Sequence, residues 1–230
     1  MESQLFLGMR AVVASQPMRR LMGLARRAAR TGRPVLITGE SGAGKELLAR
    51  ALHCFSPRRD RPWVEVHCGA LRDGRIEDEL FELAHTGTLF LDEIGELGSK
   101  AQAKLALLLA GQRKIPADVR VLAATSRDLA DAARAGRFHG DLYERLTGIH
   151  LRVPPLRERH EDVGPLAEFF LRQSNPDARL TNEARLALER YGWPGNVREL
   201  RQMMTAVAVE NPGSAIGDWD LPEQVLGGWA

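Results

Sequence analysis

The stretch Val35-Leu-Ile-Thr-Gly-Glu-Ser-Gly-Ala-Gly-Lys-Glu46 decides the fold of this chain of 230 residues. Its apolar, β-branched start predicts a buried strand, and the Leu- and Ala-rich segment after Glu46 predicts a helix. Between them, Gly39–Lys45 matches the phosphate-binding loop G-x-x-x-x-G-K, whose backbone N–H groups converge on phosphate oxygens at a helix start. Lys45 is expected to contact the β- and γ-phosphates, whereas Glu46 stands where Ser or Thr usually holds magnesium. The alternative is a glycine-rich turn that binds no ligand.

The composition argues against a nucleic-acid-binding protein, a membrane protein and a disulfide-rich secreted protein. The chain has 32 basic and 30 acidic residues, so no overall basic field favours nucleic acid. The arginines between Arg19 and Arg33 alternate with Leu and Ala, which indicates the solvated face of an amphipathic helix. No stretch is long and apolar enough for a membrane span, and no signal peptide is evident. Two cysteines form no disulfide framework, so we expect a reduced, cytoplasmic setting without a membrane partner.

A second pair of functional residues follows another apolar strand, Thr88–Asp92, which is followed by Glu93. Downstream of a phosphate loop, Asp92 is expected to hold the magnesium ion with its water shell. Glu93 is expected to orient or deprotonate the attacking water. The strand of residues 119–126 ends in the hydroxyls of Thr125 and Ser126, which either sit at the γ-phosphate or cap the next helix.

Strands and helices alternate up to Pro154-Pro155, which predicts an α/β domain with a parallel sheet covered by helices on both faces. Ligands bind such sheets at the carboxyl ends of the strands, where both motifs fall. Beyond the prolines, the pattern predicts three helices with no strands between them, and Thr181 as the N-cap of the second. We therefore predict a nucleotide-binding domain over 1–155, a small all-α lid domain over 156–212 and a largely irregular tail over 213–230.

Several ordered motifs resemble one known family. They are Gly39–Glu46, Gly87-Thr-Leu-Phe-Leu-Asp-Glu-Ile-Gly-Glu-Leu97, Ala123-Ala-Thr-Ser-Arg-Asp-Leu129, Pro155-Leu-Arg-Glu-Arg159 and Trp193-Pro-Gly-Asn-Val-Arg-Glu-Leu200. The first is similar to the family's GESGTGKE, including the glutamate that departs from the general motif. The chain is identified as a member of the sigma-54-interacting AAA+ ATPase domains of bacterial enhancer-binding transcriptional regulators, from about residue 8 to about residue 222.

The resemblance implies a ring-forming ATPase that uses ATP and Mg²⁺ and remodels sigma-54 RNA polymerase. It implies Asp92 and Glu93 as the magnesium and water residues, Thr125 as part of a first sensor and Arg198 as a second sensor in the lid. Arg145 matches an arginine finger, which stabilises charge on the phosphoryl group in a neighbouring subunit. The nucleotide-binding loop residues are Gly39, Glu40, Ser41, Gly42, Ala43, Gly44, Lys45 and Glu46.

The chain also departs from the family pattern. His139 stands at the other finger position, Ser126 replaces an asparagine, and His67 replaces the asparagine that couples the catalytic glutamate to nucleotide state. A neutral histidine can still hydrogen-bond a carboxylate. Asp78–Phe81 runs almost directly into Gly87, so the GAFTGA loop that touches sigma-54 in the family is absent, and a second excursion is shortened to Gln112–Asp118.

Two functions therefore stand against each other. The first is an ATP-binding, ATP-hydrolysing regulator of transcription that lacks the sigma-contacting loop and forms no stable sigma-54 complex. The second is a non-catalytic, nucleotide-binding interaction protein that has lost remodelling. Either would self-associate into a ring or join related AAA+ proteins in a hetero-oligomer. We expect no DNA-binding domain in this chain, because no helix-turn-helix segment follows the lid.

Overall fold

The computed structural model describes residues 2–71, 78–111, 118–213 and 215–227. They fall into two compact units. We call Leu21–Gly39 with Lys45–Val153 the sheet unit, and Met1–Arg20, Glu40–Gly44 and Pro154–Ala230 the lid unit. The middle of the phosphate loop therefore groups with the lid unit.

The elements follow one another along the chain. In order they are β1 (Glu2–Phe6), β2 (Met9–Val13), α1 (Gln16–Ala29), β3 (Val35–Thr38), α2 (Lys45–Cys54), β4 (Trp63–His67), α3 (Asp78–Leu83), β5 (Thr88–Asp92), α4 (Ser99–Leu109), β6 (Arg120–Thr125), α5 (Leu129–Arg134), α6 (Gly140–Leu146), β7 (His150–Arg152), α7 (Val163–Ser174), β8 (Arg179–Leu180), α8 (Asn182–Arg190), α9 (Asn196–Glu210), β9 (Ala215–Ile216) and α10 (Glu223–Leu226). No helix within the described ranges is long and apolar enough to cross a membrane.

The sheet unit is built on a five-stranded sheet in the order β4-β5-β6-β3-β7, with every pairing parallel. Leu36, Leu91 and Ala123 lie on one face, in a core shared with α4, α5 and α6. Their strand neighbours, such as Ile37 and Phe90, are equally buried on the opposite face because side chains alternate along a strand. Burial on both faces explains why these strands are continuous apolar runs rather than alternating ones. The predicted parallel α/β sheet is confirmed.

The lid unit encloses a separate core between α7, α8 and α9. Trp193 is fully buried there and donates its indole N–H to the carbonyl of Leu188 at 2.8 Å. Thr181 caps α8 as predicted, since its hydroxyl accepts from the N–H of Ala184 at 3.2 Å.

A buried carboxylate holds the N-terminal segment within the lid unit. Asp162 is fully buried and accepts from the N–H groups of Ala14 and Ser15, both at 2.7 Å, and from the Ser15 hydroxyl at 2.8 Å. Ser15 immediately precedes α1, so the acid fixes the point where that helix begins.

Two predictions for the C-terminal part are wrong. The short strand β8 lies between α7 and α8, where we expected no strand, and it pairs in parallel with β9. The segment after residue 212 is not largely irregular in its described part, because it carries β9 and α10, and Ile216, Leu221 and Val225 join the lid core. Apolar residues spaced this widely give no periodic signal, so only tertiary packing reveals them.

Other elements were not predicted at all, namely the antiparallel β1–β2 hairpin, α5, α6 and β7. Most of the shortened excursion at Gln112–Asp118 lies outside the described residues. The boundaries 1–155, 156–212 and 213–230 stay a prediction.

The interior of the sheet unit holds a neutral histidine beside a cation. His53 is fully buried, and its Nδ1 lies 2.9 Å from the Thr88 hydroxyl. Its Nε2 is buried and has no hydrogen-bond partner among the described residues. Burial, reinforced by the charge of Arg120, lowers the pKa of His53. Arg120 is itself 1 % exposed and donates to the carbonyls of Ala28 and Ala29 at the end of α1.

This burial predicts a pH-dependent stability. Unfolded His53 takes up a proton as pH falls below 6.5, while folded His53 resists it, so the free energy of unfolding should fall as pH drops from 6.5 towards 5. Between pH 6.5 and pH 5, we expect His53→Gln to lose about 1 kcal/mol less of its free energy of unfolding than the wild type does. Urea denaturation at each pH measures this difference. His85→Gln, at an exposed position, is the control and should keep the wild-type slope. Equal slopes in wild type and His53→Gln would contradict the assignment.

Candidate functional site

The predicted catalytic residues of the sheet unit lie where neighbouring parallel strands end. Gly39 follows β3, Asp92 ends β5 with Glu93 next, and Thr125 ends β6. Because β5, β6 and β3 are adjacent in the sheet, their carboxyl ends share one edge. The chain order alone does not give this adjacency, since β4 and β5 intervene between β3 and β6.

Lys45 and Glu93 form the central contact at this edge. The Nζ of Lys45 lies 3.1 Å from Oε1 of Glu93 and donates to the carbonyl of Gly39 at 3.1 Å. The two side chains are 7 % and 16 % exposed, so the ion pair is partly desolvated and stronger than a surface pair. The first residue of α2 is thereby joined to the end of β5.

Glu93 is held on its other oxygen by Ser126. Oε2 accepts from the N–H of Ser126 at 2.9 Å and from its hydroxyl at 3.0 Å. Glu93 adopts a left-handed backbone with φ 50°, an uncommon conformation for a non-glycine residue that aims its side chain. The backbone of His67 pairs in register with Asp92, and no described hydrogen bond joins the His67 side chain to Glu93. The sequence predicted a γ-phosphate contact or a helix cap for the Ser126 hydroxyl, and its contact with Glu93 was missed.

The neighbouring carboxylates have pKa values displaced in opposite directions. Burial raises the pKa of Asp92, and the charge of Glu93 raises it further. Burial also acts to raise the pKa of Glu93, but hydrogen bonds from Ser126 and the charge of Lys45 outweigh it and lower the pKa. The pKa of Glu93 is therefore shifted towards the ionised form, and that of Asp92 towards the protonated form. This separation suits a site in which one carboxylate acts as a base.

Thr125 and Glu46 both have partners within the protein. The hydroxyl of fully buried Thr125 accepts from the N–H of Arg127 at 3.0 Å. It does not cap α5, because the N-cap of that helix is Asp128, whose side chain accepts from the N–H of Asp131 at 2.9 Å. The carboxylate of Glu46 lies 2.7 Å from Nη2 of Arg50 one turn along α2. Arg50 also binds Glu65 at 2.8 Å. The departure at Glu46 thus forms an ion pair on the helix surface.

Arg145 lies on the exposed side of α6. Among the described contacts, it makes no hydrogen bond or ion pair with Lys45, Asp92 or Glu93. His139 is also exposed, and its backbone N–H donates to Gln102 at 2.8 Å. Arg137, close in sequence, is paired with Asp131 at 2.9 Å. Within the described ranges, the finger candidates therefore make no hydrogen bond or ion pair with the predicted catalytic residues of the same chain.

The lid unit contains the remaining loop residues. Arg198 donates to the hydroxyl of Ser41 at 2.9 Å, so the predicted second sensor does contact the phosphate loop. Arg157 donates to both carboxylate oxygens of Glu40, and Asn196 donates to one of them at 3.1 Å. Arg157 and Asn196 lie within two of the family motifs, but the resemblance implies no role for either residue.

A divalent metal fits this donor set only together with phosphate oxygens. Within the described residues, no group of three or more His, Cys, Asp or Glu side chains could hold a metal ion. Magnesium typically binds one or two carboxylates together with waters and substrate phosphates, and Asp92 supplies one such carboxylate.

Relatives at high identity are bacterial regulators. The response regulator PilR of Pseudomonas aeruginosa is 45 % identical over 83 % of this chain and 50 % of PilR. The regulatory protein AtoC of Escherichia coli is 40 % identical over 83 % of this chain and 48 % of AtoC. The chain thus spans about half the length of these curated relatives.

Solved structures agree on the fold. NtrX of Brucella abortus, crystallised in complex with ATP, superposes with a TM-score of 0.83 at 31 % identity over 94 % of this chain and 57 % of NtrX. The RuvB Holliday junction branch migration motor of Thermotoga maritima, at 17 % identity and a TM-score of 0.65 over 94 % of this chain and 68 % of RuvB, shares the fold alone.

Two family models cover most of the chain. The sigma-54 interaction domain matches residues 12–156, and the AAA+ ATPase lid domain matches residues 157–228. The chain therefore belongs to the sigma-54 interaction domain family and carries that family's AAA+ lid.

Proposed function

We propose that this chain binds ATP at Gly39–Glu46 and hydrolyses it to ADP and phosphate, as the ATPase part of a cytoplasmic regulator of transcription. The Lys45–Glu93 contact carries the proposal, because it unites the phosphate lysine and the candidate base at one edge of a parallel sheet. The ATP complex of NtrX, similar over nearly the whole chain, supports the choice of nucleotide.

Each residue has a proposed task in hydrolysis. Lys45 neutralises the β- and γ-phosphates, and Asp92 holds a magnesium ion, which supplies charge neutralisation on the phosphates when bound. Glu93 accepts a hydrogen bond from the attacking water and takes its proton, for which its lowered pKa keeps it ionised. Arg198 senses nucleotide through the loop at Ser41. Thr125 orients the strand end from which Ser126 holds Glu93.

Self-association completes this site in the proposal. Arg145 is exposed on α6 and makes no described contact with the catalytic residues of its own chain, which fits a finger that acts on a neighbouring subunit. An arginine finger contributes about 10³–10⁵ in turnover in related phosphoryl-transfer systems. We therefore propose a ring of this chain or a hetero-oligomer with related AAA+ proteins.

Phosphate release by purified protein tests hydrolysis. Lys45→Ala should abolish nucleotide binding and turnover, whereas Glu93→Gln should keep binding of a fluorescent ADP analogue and lower turnover by about 10²–10⁴. Lys100→Ala and Glu183→Gln, at exposed positions on α4 and α8, are the matched controls and should behave like wild type. Wild-type turnover per subunit should rise with protein concentration. Turnover that survives in Glu93→Gln would refute the assignment of the base.

A second candidate function is a nucleotide-binding interaction protein without turnover. The specific observation in its favour is His139, exposed at a position where the family has a finger arginine. Wild-type protein that binds ADP but releases no phosphate at any concentration would establish this alternative.

We further propose that the family's sigma-54 contact is lost. In support, α3 ends at Leu83 and β5 begins at Thr88, and the four residues between them form a turn in which Gly87 N–H donates to Ala84 at 2.8 Å. Such a turn leaves no room for an extended loop.

A pull-down with sigma-54 in the presence of ADP and a metal-fluoride transition-state analogue tests this loss. We expect no stable complex, because in this proposal the chain lacks the loop that touches sigma-54 in the family. A family member that carries GAFTGA is the positive control. Retention of sigma-54 by this chain at a level like that control would overturn the proposal.

A further inference from the structure

The middle of the phosphate loop is bonded along its carbonyl side by lid residues of the same compact unit. Three consecutive loop carbonyls each accept a hydrogen bond. The pairs are Ser41 with Asn196 Nδ2 at 3.1 Å, Gly42 with Val197 N–H at 3.0 Å, and Ala43 with Arg159 Nη2 at 2.5 Å. A phosphate-binding nest presents its N–H groups on the side opposite its carbonyls. Hydrogen bonds that fix these loop carbonyls therefore also fix the direction in which the loop N–H groups point.

Gly42 shows how closely the two backbones approach. A Cβ at this position would lie 2.4 Å from the carbonyl oxygen of Gly195, and the residue has φ +75°. The lack of room for a Cβ and the left-handed backbone conformation both require glycine at position 42. The loop is thus fitted against the start of α9, where the N–H of Val197 reaches it.

Glu40 places a negative charge in a loop that is built to receive phosphate. Arg157 donates to both of its carboxylate oxygens, and Asn196 adds a third bond at 3.1 Å. A bidentate guanidinium fixes a carboxylate in orientation as well as in charge. Asn196 is itself fully buried, with φ 56°, and accepts from Leu156 N–H at 2.8 Å.

Arg159 is a buried cation whose described partners are the Ala43 carbonyl and the Asp162 carboxylate. Its side chain is 5 % exposed and lies 3.8 Å from the carboxylate of Asp162, which the segment Ala14–Ser15 fixes in turn. Its Nε is buried, and no residue in the described part of the chain hydrogen-bonds it. Burying a guanidinium is costly, so this arrangement is stable only while the Ala43 carbonyl and Asp162 are in place.

We propose that Arg157, Arg159 and Asn196 are positioning residues that hold the phosphate loop in its anion-binding conformation before any nucleotide arrives. A loop that is ordered in advance loses less conformational freedom on binding, and its affinity for phosphate rises accordingly. The nucleotide consequence rests on the proposed function, whereas the order of the empty loop does not.

Hydrogen–deuterium exchange of the loop peptide in nucleotide-free protein tests this role directly. Arg159→Met, Arg157→Gln and Asn196→Gly should each speed exchange over residues 40–44 by about tenfold or more, because local opening becomes easier. Glycine at 196 keeps the positive φ while removing the amide. Arg185→Met is the matched control, since Arg185 pairs with Glu168 in the lid unit and makes no described contact with the loop. Wild-type exchange rates in all three variants would overturn the proposal.

A nucleotide titration separates positioning from a purely structural role. The three variants should bind a fluorescent ADP analogue about tenfold more weakly, with KM for ATP raised and kcat little changed, as expected when only uniform binding is lost. Saturating ADP should restore slow loop exchange. Arg157 is 43 % exposed, so Arg157→Gln gives a folded test even where Arg159→Met does not fold. Wild-type protein that binds no ADP would refute the proposed function, while the exchange result on the empty loop would still decide this inference. Unchanged affinity in folded variants would count against it.

Discussion

The reversal of the chain after β3 constrains everything else in this molecule. Only six residues connect the buried strand β3 to helix α2, and the backbone N–H and C=O groups of this connection need hydrogen-bond partners. Three glycines with positive φ, at 39, 42 and 44, make the path sterically possible. Lys45 closes it by donating back to Gly39. The sheet can then place the acids of β5 beside the same helix start.

Much of this arrangement is predictable from local sequence. Continuous apolar runs bounded by glycines and acids predict β3 and β5, since strands buried on both faces admit few polar residues. The same logic gives the residues that follow these strands, including Asp92 and Glu93. Thr181 was predictable because an N-cap needs only a hydroxyl ahead of a helical pattern.

What local sequence could not give are the contacts made by residues far apart in the chain. Nothing near Ser126 says that it will bond Glu93, because that contact depends on β5 and β6 being neighbours. Ile216 and Val225 look unremarkable in an unpatterned tail, yet they fill the core of α7, α8 and α9. The hairpin of β1 and β2 was missed because three of the five residues of β1 are polar, so this strand gives no apolar run. Family resemblance supplied roles for Arg198 and Arg145, but not the contacts of Arg157 or Asn196.

The Lys45–Glu93 ion pair couples two equilibria, the binding of an anion by Lys45 and the binding of a proton by Glu93. The lysine charge helps to lower the pKa of Glu93, so any phosphate that draws Lys45 towards itself lets that pKa rise. In the proposed hydrolysis, the glutamate would then be a stronger base when nucleotide is bound. By the same linkage, protonating Glu93 frees Lys45 and tightens its hold on an anion. When no anion competes for Lys45, the ion pair stabilises the charged forms of both side chains.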